Sequence, residues 1–162
     1  MNRQLKTMLF KAEGRYFDES EAAFLMGYAE ATLARLDTAQ AIERAEPAIL
    51  DDVVAAVMST HPDIQRIHGD GGAPRVRRDQ AMTLRYATLA MIQQDPDFIH
   101  DKFAVWIRTI LGALCALEHV TCGYRALIDA CRRHLLPDDA AAVIPYIQIV
   151  LDQFEQPGAR SS

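Results

Sequence analysis

Lysine is scarce in this chain of 162 residues. Of 17 basic side chains only Lys6, Lys11 and Lys102 are lysines; the rest are arginines. The net charge is -5, so the chain lacks the basic surplus of a general nucleic-acid binder. Cysteine is scarce too. Cys115, Cys122 and Cys131 form no C-x-x-C pair, and an odd number of thiols fits a reducing compartment better than a disulfide framework. The opening residues MNRQLKTMLFKAEGRYF carry neither a long apolar core nor a small-residue cleavage pattern, so no signal peptide is expected. No stretch approaches a membrane span. These absences point to a cytoplasmic protein with neither nucleic acid nor membrane as its partner.

Catalytic signatures are missing as well. The chain has no G-x-S-x-G, no phosphate-binding glycine loop and no H-E-x-x-H, and its acidic residues are scattered rather than paired. A non-enzymatic protein without a metal site is expected. Haem remains a question of histidines, since a ligating imidazole is the usual requirement. Among the five, His100 and His119 bracket an apolar helical stretch and are the only plausible proximal ligands; helix-end positions in solvent are the plainer account of both.

What is present is helical patterning. Half the residues are hydrophobic and 24% are charged, a globular balance. Asp18-x-x-Glu21 is capping-box-like, and Leu25, Ala29, Leu33 and Leu36 follow at helical spacing. Pro47 marks a helix boundary. Ile49, Val53 and Val57, with Leu50, Val54 and Met58 beside them, make a wide stripe. HPDIQRIHGDGGAPRV, with its prolines and glycines, reads as the one substantial loop. Further helices are expected over Arg75 to Gln94, over Phe98 to Leu117 with Trp106, Ile110 and Leu114 on one face, and after Gly123. The last, LPDDAAAVIPYIQIVLDQF, turns Val143, Ile147, Leu151 and Phe154 inward and contains Pro145. The spacing predicts one all-α domain over residues 1–156, with residues 157–162 as a disordered tail.

GGAPRVRRDQAMTLRY, Gly71 to Tyr86, places Arg75, Arg77 and Arg78 in what reads as the first turn of a helix. Cations there oppose the helix dipole, whereas Asp79 complements it. An anion bound at that turn would favour the arrangement through guanidinium and backbone N–H donors together. A tetrapyrrole propionate, a phosphate and an acidic patch on another subunit all qualify, and so does a plain solvated junction.

Four blocks of the chain, AEGRYFDESE, THPDIQRIHGDGG, RRDQAMTLRYATLAMIQQD and LPDDAAAVIPYIQIVLDQF, together resemble the phycobilisome branch of the globins, the phycobiliprotein family of bilin carriers. The most specific block is the third, with Arg78, Asp79, Arg85 and Asp95 in register. The resemblance implies a globin-like, phycobilisome-type fold of six to eight helices with an N-terminal helical extension. It also implies that Asp79 faces pyrrole N–H groups, with Arg75, Arg77 and Arg78 near propionates and Met82 and Thr83 lining the same side. The departures from the family pattern are equally informative. Val76 stands where the family attaches its central chromophore through a cysteine, Met82 and Thr83 replace an aromatic pair, and Ala73 replaces an asparagine. The likeness is to relatives lacking that cysteine, such as the bilin-biosynthesis-associated globins. They imply a noncovalent bilin such as biliverdin, with bilin-biosynthesis enzymes as partners. By the same resemblance Arg15, Tyr16, Asp18 and Arg85 lie at a homodimer interface, which leaves a pigment-free dimeric adaptor as the alternative and a haem sensor as a third reading.

Overall fold

The structure, a computed structural model, describes residues 2–114 and 117–155, the side chains of 112–114 excepted. Among these residues there are helices and turns and no strand. Helix α1 spans Arg3–Lys11, α2 Glu19–Thr60, α3 Asp63–His68 and α4 Gly72–Gln93, with a 3-10 turn at Gly69–Gly71 between the last two. Helix α5 is Pro96–Ile99, followed by a π-helical turn at His100–Ala104 and α6 at Val105–Leu114; α7 covers Leu117–His134 and α8 Pro137–Glu155. The C-terminal half of α2 packs on α4 and α7, while α8 closes the core against both. No helix among the described residues is long and apolar enough to cross a membrane.

Local chemistry sets the helix ends. At α2 the Asp18 carboxylate accepts from Glu21 N at 2.9 Å, and Glu21 returns a bond from Asp18 N at 3.1 Å. This is the capping box expected from the sequence. Asp95 caps α5, accepting from Phe98 N, with Pro96 at the first helical position. The core is built where helical stripes converge: Ile49, Val53 and Val57 from α2, Leu84 and Ala87 from α4, Tyr124 and Leu127 from α7, and Val143 and Ile147 from α8 are essentially inaccessible. Cys131 is buried in this core, and loss of water pushes its thiol up to about 12.

Several expectations need correction. Pro47 does not end a helix: α2 runs for 42 residues with Pro47 inside, because buried Ile42, Ile49 and Leu50 hold both sides of it to the core. The expected loop after His61 is helical for most of its length. Gly123 is no boundary either and lies inside α7. The inward face of α6 is the continuation of Phe103 through Ile107 and Leu111, whereas Trp106 is 47% exposed. The Leu114 side chain, Cys115 and the tail 157–162 fall outside the described residues.

Helix α2 also breaks its pattern. None of residues 19–41 is buried. Ala29, Leu33 and Leu36 face solvent, not the core. This half of the helix meets the rest of the molecule through polar contacts: Tyr28 Oη donates to Gln93 O, Arg35 Nε to Ile92 O, and Thr38 Oγ1 to Asp139.

Candidate functional site

Helix α4 starts at Gly72, three residues earlier than expected, and this changes the electrostatics of its arginines. Arg77, Arg78 and Asp79 lie beyond its first turn, where the dipole's influence has largely decayed. The supposed conflict therefore disappears for Arg77 and Arg78, while Arg75 closes the first turn. Two of the arginines have partners within the chain: Arg77 bridges to Asp51 on α2, and Arg78 meets its neighbour Asp79 at 3.4 Å. Further along, Arg85 is paired with Glu46 at 2.6 Å, and that hydrogen bond holds the guanidinium still more firmly protonated. Arg75 is half-buried and has no ion-pair or hydrogen-bond partner among the described residues.

Helical periodicity then sorts these residues onto two faces. Positions 72, 75, 76, 79 and 80 recur at three- and four-residue spacing and share one side of α4. That side forms one wall of a cavity of about 170 Å³. Gly72, Arg75, Val76, Asp79 and Gln80 face Ile64, Ile67 and His68 on α3, Val57 on α2, Leu111 on α6, and His119, Val120 and Gly123 on α7. Arg77, Arg78, Met82 and Arg85 instead line an open groove toward α2, together with Glu46, Pro47 and Leu50. Thr83 lines neither: it is fully buried, with its hydroxyl donating to Asp79 O.

The candidate pigment residues are thus divided. Arg75, Val76 and Asp79 converge on the cavity, Arg77, Arg78 and Met82 lie around the corner, and Thr83 belongs to the core. Sequence reasoning missed Gln80 and Gly123. Gln80 is nine-tenths buried or more, and its Oε1 has no hydrogen-bond partner among the described residues; an unpaired buried acceptor carries a desolvation cost that a donor entering the cavity would relieve. Gly123 lets α7 approach closely, since a Cβ there would stand 2.7 Å from Gln80 Nε2. The period that placed Asp79 inward also places Gln80 inward, so the signal was present.

The histidines separate as well. His100 is exposed on the π-helical turn and pairs with Asp101 at 2.8 Å, away from the cavity. His119 lines the cavity, but its Nε2 is already 3.0 Å from Asp63 Oδ2. At the proposed dimer face, Arg15 pairs with Glu21 and donates to Tyr16 O, Asp18 serves as the α2 cap, and the Tyr16 ring is 97% exposed.

The cavity combines mostly apolar walls with one carboxylate, one amide, two imidazoles and one guanidinium that is unpaired among the described residues. Among the described residues no cysteine lines it. Its size is that of a single ring-shaped group, since engineered apolar cavities of about 150 Å³ admit benzene. No curated protein matches the chain. The model of the phycobilisome protein family matches residues 9–154, a span that takes in every element around the cavity. The chain therefore belongs to the phycobilisome protein family.

Proposed function

We propose that this chain is a non-enzymatic, cytoplasmic member of the family that binds or hands over a linear tetrapyrrole noncovalently, in association with bilin-producing enzymes. The observation that carries the proposal is the convergence of three residues on one cavity: Asp79 with its carboxylate, Gln80, whose Oε1 has no hydrogen-bond partner among the described residues, and Arg75, which has no partner among them. Two acceptors suit pyrrole N–H donors, and the guanidinium suits a propionate. Val76, at the position matching the family's attachment cysteine, offers no thiol, so this position cannot form a thioether. When bound, the bilin would supply visible absorption. The chain's own residues supply only binding, orientation and exclusion of water. The cavity is too small for four pyrrole rings, so a whole bilin requires outward movement of the α3 wall carrying Ile67 and His68.

The test is an absorption titration with biliverdin, run beside one with haemin. Saturable binding at micromolar protein with a red-shifted band is expected, weakened about tenfold or more by Asp79→Ala, as fits loss of a charge-assisted hydrogen bond. No saturable binding, or binding indifferent to Asp79→Ala, would overturn the pigment role. No Soret shift is expected in the haemin arm, because His100 lies away from the cavity and His119 is set beside Asp63 and His61 at the α2–α3 corner.

A second reading, a dimeric adaptor, is favoured by a separate observation. The N-terminal half of α2 buries nothing, and Phe10, Tyr16, Met26 and Leu33 lie exposed on or near it. Dimerisation is compatible with pigment binding. The adaptor reading replaces the pigment reading only if the titration fails.

A further inference from the structure

The His-Pro-Asp segment has no part in the pigment reading, yet the fold gives it a third partner. His61 closes the C-terminus of α2, and its backbone is held at both groups: its N–H donates to Val57 O at 2.9 Å, and its carbonyl accepts from Ile64 N at 3.1 Å. Asp63, two residues on, opens α3. Pro62 between them fixes the chain direction through its locked φ of -65°, so the two side chains are presented by a stiff corner. Helix α7 brings His119 to the same place. Its Nε2 lies 3.0 Å from Asp63 Oδ2, and its ring is 4.6 Å from that of His61, centroid to centroid. One donor atom from each of the three side chains falls within 4.8 Å of the other two.

We propose that His61, Asp63 and His119 form a binding site for a divalent transition-metal ion of the zinc class. Two imidazoles and one carboxylate are the donor set for Zn2+, Co2+ or Ni2+, and they disfavour Mg2+ and Ca2+, which prefer all-oxygen shells. Three protein ligands at metal distances near 2.0–2.2 Å stand about 3.3 Å apart in a tetrahedron. Asp63 and His119 already meet that spacing, and a small rotation of the exposed ends brings His61 to it. All three residues are partly exposed, which leaves an entry path and a position for water. The ion would tie the α2–α3 corner to α7, the two walls that close the cavity at Ile64 and Val120.

Isothermal titration of the full, metal-stripped chain with Zn2+ tests this, with Co2+ as the spectroscopic probe. One site per chain is expected, with a dissociation constant on the order of micromolar, and with visible Co2+ bands of a low-coordinate, nitrogen–oxygen environment. His61→Ala and His119→Ala should each weaken binding by about tenfold or more. His100→Ala and His134→Ala, whose imidazoles pair with Asp101 and Asp52 elsewhere, should leave it unchanged. Should His119→Ala unfold the half-buried corner, Asp63→Asn reads the same loss without removing volume. Absence of saturable uptake up to about 100 µM Zn2+, or uptake that survives loss of both His61 and His119, overturns the site. Neither outcome depends on biliverdin, so the two proposals fail separately.

Discussion

At the scale of single residues, the two glycines facing the cavity make opposite predictions. A Cβ on Gly123 would meet Gln80 Nε2 at 2.7 Å, and one on Gly72 would meet Ile64 Cγ2 at 3.0 Å and the Ile64 carbonyl at 3.3 Å. The first obstacle is the end of a flexible side chain beside empty space; the second includes backbone. Gly123→Ala should therefore swing Gln80 into the cavity, and the helix-propensity gain of about 1 kcal/mol offsets the disturbance. Chemical denaturation should show it near neutral, while biliverdin affinity falls because the cavity is partly filled. Gly72→Ala should cost about 1–3 kcal/mol, since an overpacked contact that cannot yield strains its surroundings. A large loss of stability in Gly123→Ala would mean that Gln80 is locked where it stands. Arg75 offers the complementary case: with no partner among the described residues, its neutralisation removes no internal ion pair.

Among the elements, α2 holds the sharpest disagreement between local sequence and tertiary packing. Proline inside a helix removes one backbone hydrogen bond and clashes with the carbonyl four residues earlier, at a cost of about 3 kcal/mol. Here that carbonyl belongs to Glu43, and the helix persists because its flanking residues are buried on α4 and α7. Pro47→Ala should restore the bond and raise stability by about 1–2 kcal/mol, after allowing for the greater freedom of the unfolded chain, as read from the denaturation midpoint. A drop instead would show that α4 and α7 require the distorted α2. The same element shows what the sequence could reveal. The capping box at Asp18, the inward stripe of α8 and the all-α class were legible because each follows from residues within one turn or one period. The continuity of α2 past Pro47 was not, because it depends on burial by helices distant in sequence. The helical character of the corner after His61 was hidden by its glycines and prolines for the same reason. At the site, the period through Arg75 and Asp79 was legible, but the separation of Arg77, Arg78 and Met82 onto another groove required knowing where α4 meets α3 and α7. The partnership of His119 with His61 and Asp63 spans more than fifty residues, and spacing carries no trace of it.

For the whole molecule, the open question is what covers the first half of α2. Residues 19–41 extend over about 34 Å at 1.5 Å per residue, and none is buried. A helix of that length gains little from propensity alone and ordinarily draws its stability from an apolar face packed on something else. Tyr28, Arg35 and Thr38 anchor one side through hydrogen bonds, but Met26 and Leu33 remain about two-thirds exposed, and Phe10 and Tyr16 more so. Large apolar groups gathered at one end of a chain mark an interaction surface, and a second copy in twofold arrangement is the simplest partner that brings the same surface. Light scattering at tens of micromolar should therefore return twice the 18.1 kDa chain mass. Leu33→Glu should return a monomer, since a carboxylate at a desolvated contact is costly, and each chain already carries a net charge of -5. Because Leu33 is far from the buried core, the variant should keep its helical circular dichroism and its biliverdin affinity. A wild-type monomer under these conditions would leave α2 uncovered in the isolated chain and would remove the homodimer, while the Asp79 cavity, built wholly within one chain, would stand or fall on its own titration.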